Sequence, residues 1–196
     1  MRLINFKFIK SASKPSEFIY DDLPQIAVVG RSNVGKSSLI NMLANNKKLA
    51  KTSSTPGRTR LVNYFEIDKK MYLVDLPGYG FAKAGKEIKK QWDNVLDDYF
   101  NNTNNLKLVL VLIDSRHLPS DLDVLMINYL VDLNIPYQII LTKTDKLSKN
   151  ELNKNVQDIS NYIRHNKAMF IPTSADKKIG VNQITEIFEK YIGDNE

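Results

Sequence analysis

Cysteine is absent from the 196-residue chain, which excludes disulfides, thiolate zinc sites and cysteine nucleophiles together. Histidine is nearly absent: His117 and His165 lie far apart with no ligand-like spacing, so a zinc centre is not expected. Neither Ser37 nor Ser174 has a His and Asp arrangement around it, so a hydrolase triad is not on offer. No apolar run reaches the roughly 18 residues needed to cross a bilayer. The opening "MRLINFKFIK" alternates polar with apolar residues and lacks the continuous stretch of a signal peptide. Repeats and low-complexity segments are missing as well. A cytoplasmic protein is the expectation.

What is present is the balance of an ordinary globular protein, 42% hydrophobic and 26% charged residues, in a chain long enough for one core. The formal charge of +6 favours an anionic partner, nucleic acid or membrane surface, although many lysine-rich proteins are basic without one. Apolar runs alternate with amphipathic patterns, the signature of an α/β protein. "QIAVVG", "LKLVLVLID", "YQIILT" and "MFIPTS" read as strands, and "RLVNYFEID" with "KMYLVDL" as a hairpin around Asp68 and Lys69. Ser120 with Asp123, and Ser148 with Glu151, have the spacing of helix capping boxes. The fold class expected is a single three-layer α/β domain. Its central sheet would have about six strands, mostly parallel with one antiparallel, and helices on both faces. Residues 1–24 are expected to form an arm or appended strand, and residues 25–196 the domain proper.

"GRSNVGKS", Gly30 to Ser37, places two glycines with four residues between them before Lys36 and Ser37, where a strand hands over to a helix. Such a loop turns successive amides toward a β-phosphate, with the helix N-terminus behind them. Lys36 would neutralise β- and γ-oxygens, and Ser37 would offer its hydroxyl to Mg²⁺. "TKTD", Thr142 to Asp145, follows another strand. Guanine presents two parallel donors that one carboxylate, Asp145, can accept, while adenine would set an acceptor against it. The methylene stem of Lys143 would lie along the purine face. Thr173 to Ala175 would offer amides to the base carbonyl. "DLPG", Asp75 to Gly78, would support Mg²⁺ through water and bond the γ-phosphate through the Gly78 amide. Between these lies "TPGRTR", where Thr59, with Thr55 as the alternative, would complete the Mg²⁺ shell in the GTP state.

"GRSNVGKSSLIN", "TPGRTR", "VDLPGYGFAK", "DSRH", "LTKTDK" and the final "TSA" together resemble the EngB (YihA/YsxC) family, among the Era- and TrmE-like P-loop GTPases. The likeness runs from about Leu23 to the C-terminus and departs at Arg60, where the family commonly has Gln. It implies a GTP-binding protein for assembly of the large ribosomal subunit or its precursor, linked to septation and cell division. Its ligands would be GTP and GDP with Mg²⁺, and a monomer is the default. In related GTPases an Asn in the P-loop helps hold a monovalent cation, which makes Asn33 a candidate K⁺ ligand. An Asn that merely suits the turn is the equal alternative.

Nucleotide contacts are therefore expected along Gly30, Arg31, Ser32, Asn33, Val34, Gly35, Lys36, Ser37 and Ser38; along Gly57, Arg58, Thr59, Arg60 and Leu61; and along Asp75, Leu76, Pro77 and Gly78. At the base end they are Thr142, Lys143, Thr144 and Asp145, with Thr173, Ser174 and Ala175. Lys36, Thr59, Gly78 and Asn33 are expected to serve hydrolysis, and Ser37, Thr59 and Asp75 the Mg²⁺. Where many P-loop GTPases carry a water-orienting Gln, this chain has Tyr79, so intrinsic hydrolysis should be slow. Arg58 is a candidate internal finger. Tyr79 and Phe81 are expected on a partner-sensing surface. Lys47, Lys48, Lys51, Arg58, Arg60, Lys83, Lys86, Lys89 and Lys90 would contact RNA, or else form solvated faces. Two other readings share the P-loop. One is a GTP/GDP-sensing scaffold for division proteins; the other, an ATPase or nucleotide kinase, is disfavoured by "TKTD".

Overall fold

Two largely apolar strands set the centre of the sheet, β2 (Gln25–Gly30) and β5 (Leu106–Asp114), which pair in parallel and are continuously apolar from Ile26 to Val29 and from Leu108 to Ile113. The computed structural model of the chain describes residues 5–50, 61–80, 94–164 and 169–193. Around that pair lie β1 (Phe6–Ala12), β3 (Val62–Ile67), β4 (Met71–Asp75), β6 (Tyr137–Thr142) and β7 (Ile171–Pro172). The seven strands stand in the order β1-β3-β4-β2-β5-β6-β7. β3 runs antiparallel to both β1 and β4, and every other pairing is parallel. The count exceeds six because β1, from the residues before Pro24, adds itself along the outer edge of β3.

Strands covered on both faces need apolar side chains at every position. Ala27, Val29, Val109, Val111 and Ile113 point to one side, against α2 (Asn94–Asn102), α3 (Asp121–Asp132) and α4 (Lys149–Ile163). Ile26, Val28, Leu108, Leu110 and Leu112 point to the other, against α1 (Lys36–Leu43) and α5 (Val181–Gly193). Both capping boxes form: Ser120 and Ser148 accept from the backbone three residues on, and Asp123 and Glu151 reach back. The β3–β4 turn passes through Asp68 and Lys69, both at positive φ, and closes with the Lys70 N–H on the Ile67 carbonyl at 2.9 Å. The last strand is shorter than "MFIPTS" suggests, since only Ile171 and Pro172 pair with β6 before the chain turns away.

The parallel strands β2, β4, β5, β6 and β7 bring their carboxyl ends to one edge, the usual place for a ligand in an open α/β sheet. At the opposite end, the fully buried Gln25 opens β2 and joins three segments. Its amide donates to the Ile19 carbonyl at 2.8 Å, and its oxygen accepts from the buried Tyr99 hydroxyl on α2 at 2.8 Å. Tyr99→Phe strands that oxygen without its donor, so unfolding in denaturant should show a loss of about 1–3 kcal/mol. An unchanged midpoint would mean the bond contributes nothing net.

Candidate nucleotide-binding site

The turn after β2 depends on backbone shapes that few residues accept. Asn33 has φ 64° and Gly35 φ 116°, and Gly35 leads into α1, whose first turn is Lys36, Ser37 and Ser38. Asn tolerates the left-handed region better than most residues, which suits Asn33 to the turn. Gly30 has no room for a side chain: a Cβ there would stand 2.8 Å from Val34 Cγ1 and 3.1 Å from Leu112. Val34 is buried beneath the loop and its N–H donates to the Arg31 carbonyl at 3.1 Å. Loop amides and a helix N-terminus together make a cradle suited to phosphate.

Asp75 ends β4 beside this cradle. Lys36 Nζ stands 3.8 Å from Asp75 Oδ1, an ion pair too long for a hydrogen bond. Burial raises the Asp75 carboxyl above its ordinary range, against the opposing pull of Lys36 and a hydrogen bond from Asn63. Oδ1 is buried and takes no hydrogen bond among the described residues, an acceptor that a hydrated divalent cation would satisfy. With the Ser37 hydroxyl on the first turn of α1, the residues present fit Mg²⁺ carried in with a nucleotide. Leu76, buried, and Pro77 carry the chain on to Gly78, where a Cβ would lie 3.3 Å from Lys36 Nζ and from both Ser32 N and Oγ. A side chain there would press on the loop and need its neighbours to shift by a few tenths of an ångström.

The expectation for Tyr79 is overturned. It is no exposed partner surface: 2% of it is accessible, and its hydroxyl donates to Asp123 Oδ1 at 2.8 Å. A phenol can be buried where its oxygen finds a partner, and α3 supplies one. Phe81, Thr55, Gly57, Arg58, Thr59, Arg60 and the lysines at 51, 83, 86, 89 and 90 lie outside the described residues.

At the base end, Thr142, Lys143, Thr144 and Asp145 come together with Thr173, Ser174 and Ala175. The Thr142 hydroxyl donates to the Val34 carbonyl at 2.8 Å, and Lys143 Nζ donates to the Asn33 carbonyl at 2.9 Å. Thr144 is tied through N–H and hydroxyl to the Thr173 carbonyl, at 3.1 and 2.9 Å. The Asp145 side chain is 8% accessible; Ser174 Oγ donates to it at 2.6 Å and Lys146 pairs with it at 3.0 Å. The Ser174 bond first, then Lys146, hold its carboxyl below the ordinary range despite burial. The Thr173 and Ser174 amides are already bonded, to the Leu141 and Ile179 carbonyls, which leaves the Ala175 amide as the one of the three open to a base, among the described residues.

Two further residues make contacts that their local motifs do not show. Asp114 ends β5 and accepts from Arg116 three times, from its side chain at 2.9 and 2.8 Å and from its N–H at 3.1 Å, and pairs with Lys143 at 3.0 Å. Burial alone would raise its carboxyl, but the bonds from Arg116 and Lys143 outweigh that and hold it well below the usual carboxylate range. Asp123 is the other. The "DSRH" run flagged the first; nothing local could show that Asp123 meets Tyr79, 44 residues away.

Residues 25–143 match the family model described as 50S ribosome-binding GTPase. The probable GTP-binding protein EngB of Thermoanaerobacter pseudethanolicus is 49% identical over 191 residues, covering 97% of this chain and 100% of the relative. The crystal structure of a probable GTP-binding protein EngB superposes with a TM-score of 0.67 at 23% identity, covering 87% of this chain and 100% of that one. Era in complex with MgGDPNP and a segment of 16S ribosomal RNA gives 0.64 at 22% identity, over 87% of this chain and 57% of Era. At those identities the structural likeness establishes the fold.

Ser174→Ala removes the hydroxyl that donates to Asp145 and helps hold its carboxyl below the ordinary range. Guanine nucleotide affinity should fall about tenfold, the scale of one hydrogen bond to a charged group. The acid limit of binding should also move. A depressed carboxyl pKa keeps binding intact until pH falls through it, and without Ser174 that loss should begin at higher pH. Titration of nucleotide binding against pH checks both, and a variant identical to wild type would contradict them.

Proposed function

The chain belongs to the EngB family of GTP-binding P-loop GTPases, and on that premise we propose that it is a nucleotide-dependent switch in large ribosomal subunit assembly, with slow GTP hydrolysis of its own. The observation that carries the reading is the pairing of the Asp145–Ser174 carboxylate with the phosphate loop through Lys143 and Thr142, a site that spans base and phosphates together. Mg²⁺ would sit with Ser37 and Asp75, and Thr59 would join it when the γ-phosphate is present. That ion would offset charge on the phosphates, and Lys36 would share the task.

Slow turnover follows from what succeeds Gly78. The Tyr79 hydroxyl is held by Asp123, so the side chain is not available to orient a water as a Gln would. Support for a ribosomal partner comes from the description of the matching family. The chain is basic, and Lys47 and Lys48 are exposed on a loop pinned by Asn41, whose side chain bonds Lys47 O, Ala50 O and Ala50 N. The need for normal division would follow from failed subunit assembly. The protein would act as a cytoplasmic monomer; among the described residues no helix is long and apolar enough to cross a membrane.

Co-sedimentation with purified ribosomal subunits tests this. The chain should pellet with the large subunit or its precursor, more in one nucleotide state than the other, and binding should weaken steeply as salt rises. Binding to neither subunit in any nucleotide state would remove the ribosomal role and leave the nucleotide site standing.

A further inference from the structure

The residue that displaces the water-orienting Gln is tied on three sides. Tyr79 N–H donates to the Gly30 carbonyl at 3.3 Å, and its own carbonyl accepts from the Ser32 N–H at 3.1 Å, so both its peptide groups grip the phosphate loop. Its ring reaches the opposite way to α3, where Asp123 is itself fixed: Oδ2 accepts from Ser120 N at 2.8 Å and from Ser120 Oγ at 2.7 Å, leaving Oδ1 for the phenol. Both side chains are buried, at 2% and 4% exposure. Burial, then the charge of Asp123, push the phenol well above its ordinary range, so it stays a donor at neutral pH. Gly80 follows at φ 90°, with Leu122 Cδ1 3.3 Å from where its Cβ would be, so Gly80 itself lies against the same helix end.

We propose that Tyr79 is the positioning residue of the γ-phosphate sensor: its bond to Asp123 fixes the backbone so that Gly78 stays against Lys36 and Ser32. This rests on the reading of the site as one for guanine nucleotides. The position gives up water orientation and in exchange anchors the sensing amide to the capping box of α3. GDP does not engage that amide, so the tether matters to GTP far more than to GDP.

The test compares affinities for GDP and the non-hydrolysable analogue GDPNP, with kcat and KM for GTP, in wild type and Tyr79→Phe. Ser148→Ala serves as control, because it removes the equivalent cap of α4, away from Tyr79. Tyr79→Phe should lose about tenfold in GDPNP affinity with GDP affinity kept, and kcat should fall; the control should leave the GDPNP to GDP ratio unmoved. If Tyr79→Phe does not fold, Asp123→Asn, which keeps an acceptor oxygen but loses the charge, should shift the ratio in the same direction. An unchanged ratio, or equal losses for GDP and GDPNP, would overturn the proposal. Failure of wild type to bind either nucleotide would instead overturn the underlying reading of the site.

Discussion

Lys143 shares its ammonium between two partners from distant parts of the chain, the Asn33 carbonyl at 2.9 Å and the Asp114 carboxylate at 3.0 Å. Most of the site depends on that sharing. The phosphate loop follows β2 and the base-reading loop follows β6, with β5 between them, so their separation is set by sheet geometry but their register is not. The lysine supplies the register, helped by the Thr142 hydroxyl on the Val34 carbonyl. Lys143 itself adopts φ 60°, a conformation unusual for its type, and reaches back over the loop from there. Asp114 steadies it, and Arg116 steadies Asp114 in turn. Loss of the carboxylate would leave Lys143 bonded to one carbonyl and free to swing.

The two ends of the site are finished to different degrees. At the base end the hydrogen bonds close without a ligand: Asp145 has Ser174 and Lys146, and the Thr144 and Thr173 backbones hold each other. At the phosphate end they do not. Asp75 Oδ1 is buried with no hydrogen bond among the described residues, and its partner lysine stands 3.8 Å off. In the proposed switch, the base end would select the nucleotide and the phosphate end would respond to the γ-phosphate.

Much of this was legible in the residues because the deciding interactions are local. The buried middles of β2, β5 and β6 match their apolar runs, since a strand covered on both faces favours apolar side chains. The capping boxes are three-residue contacts, and the phosphate loop is a stretch whose backbone shape its own glycines permit. What was not legible depends on partners far along the chain. Residues 1–24 read as an arm or appended strand, but which edge β1 would take did not show: it joins through pairs such as Phe6 with Ile67, and its mixed burial has no clear period. Tyr79 read as an exposed aromatic because the acceptor that allows its burial lies on another helix. The Asp114–Lys143 pair was hidden for the same reason, each residue being unremarkable in its own segment.

The account stands or falls on Asp145 as the reader of guanine. Affinities of GTP, GDP, ATP and xanthine nucleotides, measured by fluorescence on wild type and Asp145→Asn, address this directly. Wild type should favour guanine over adenine nucleotides, and the variant should shift toward xanthine, whose base carries an oxygen where guanine carries its amine. Equal or tighter binding of ATP, unaffected by the substitution, would contradict it.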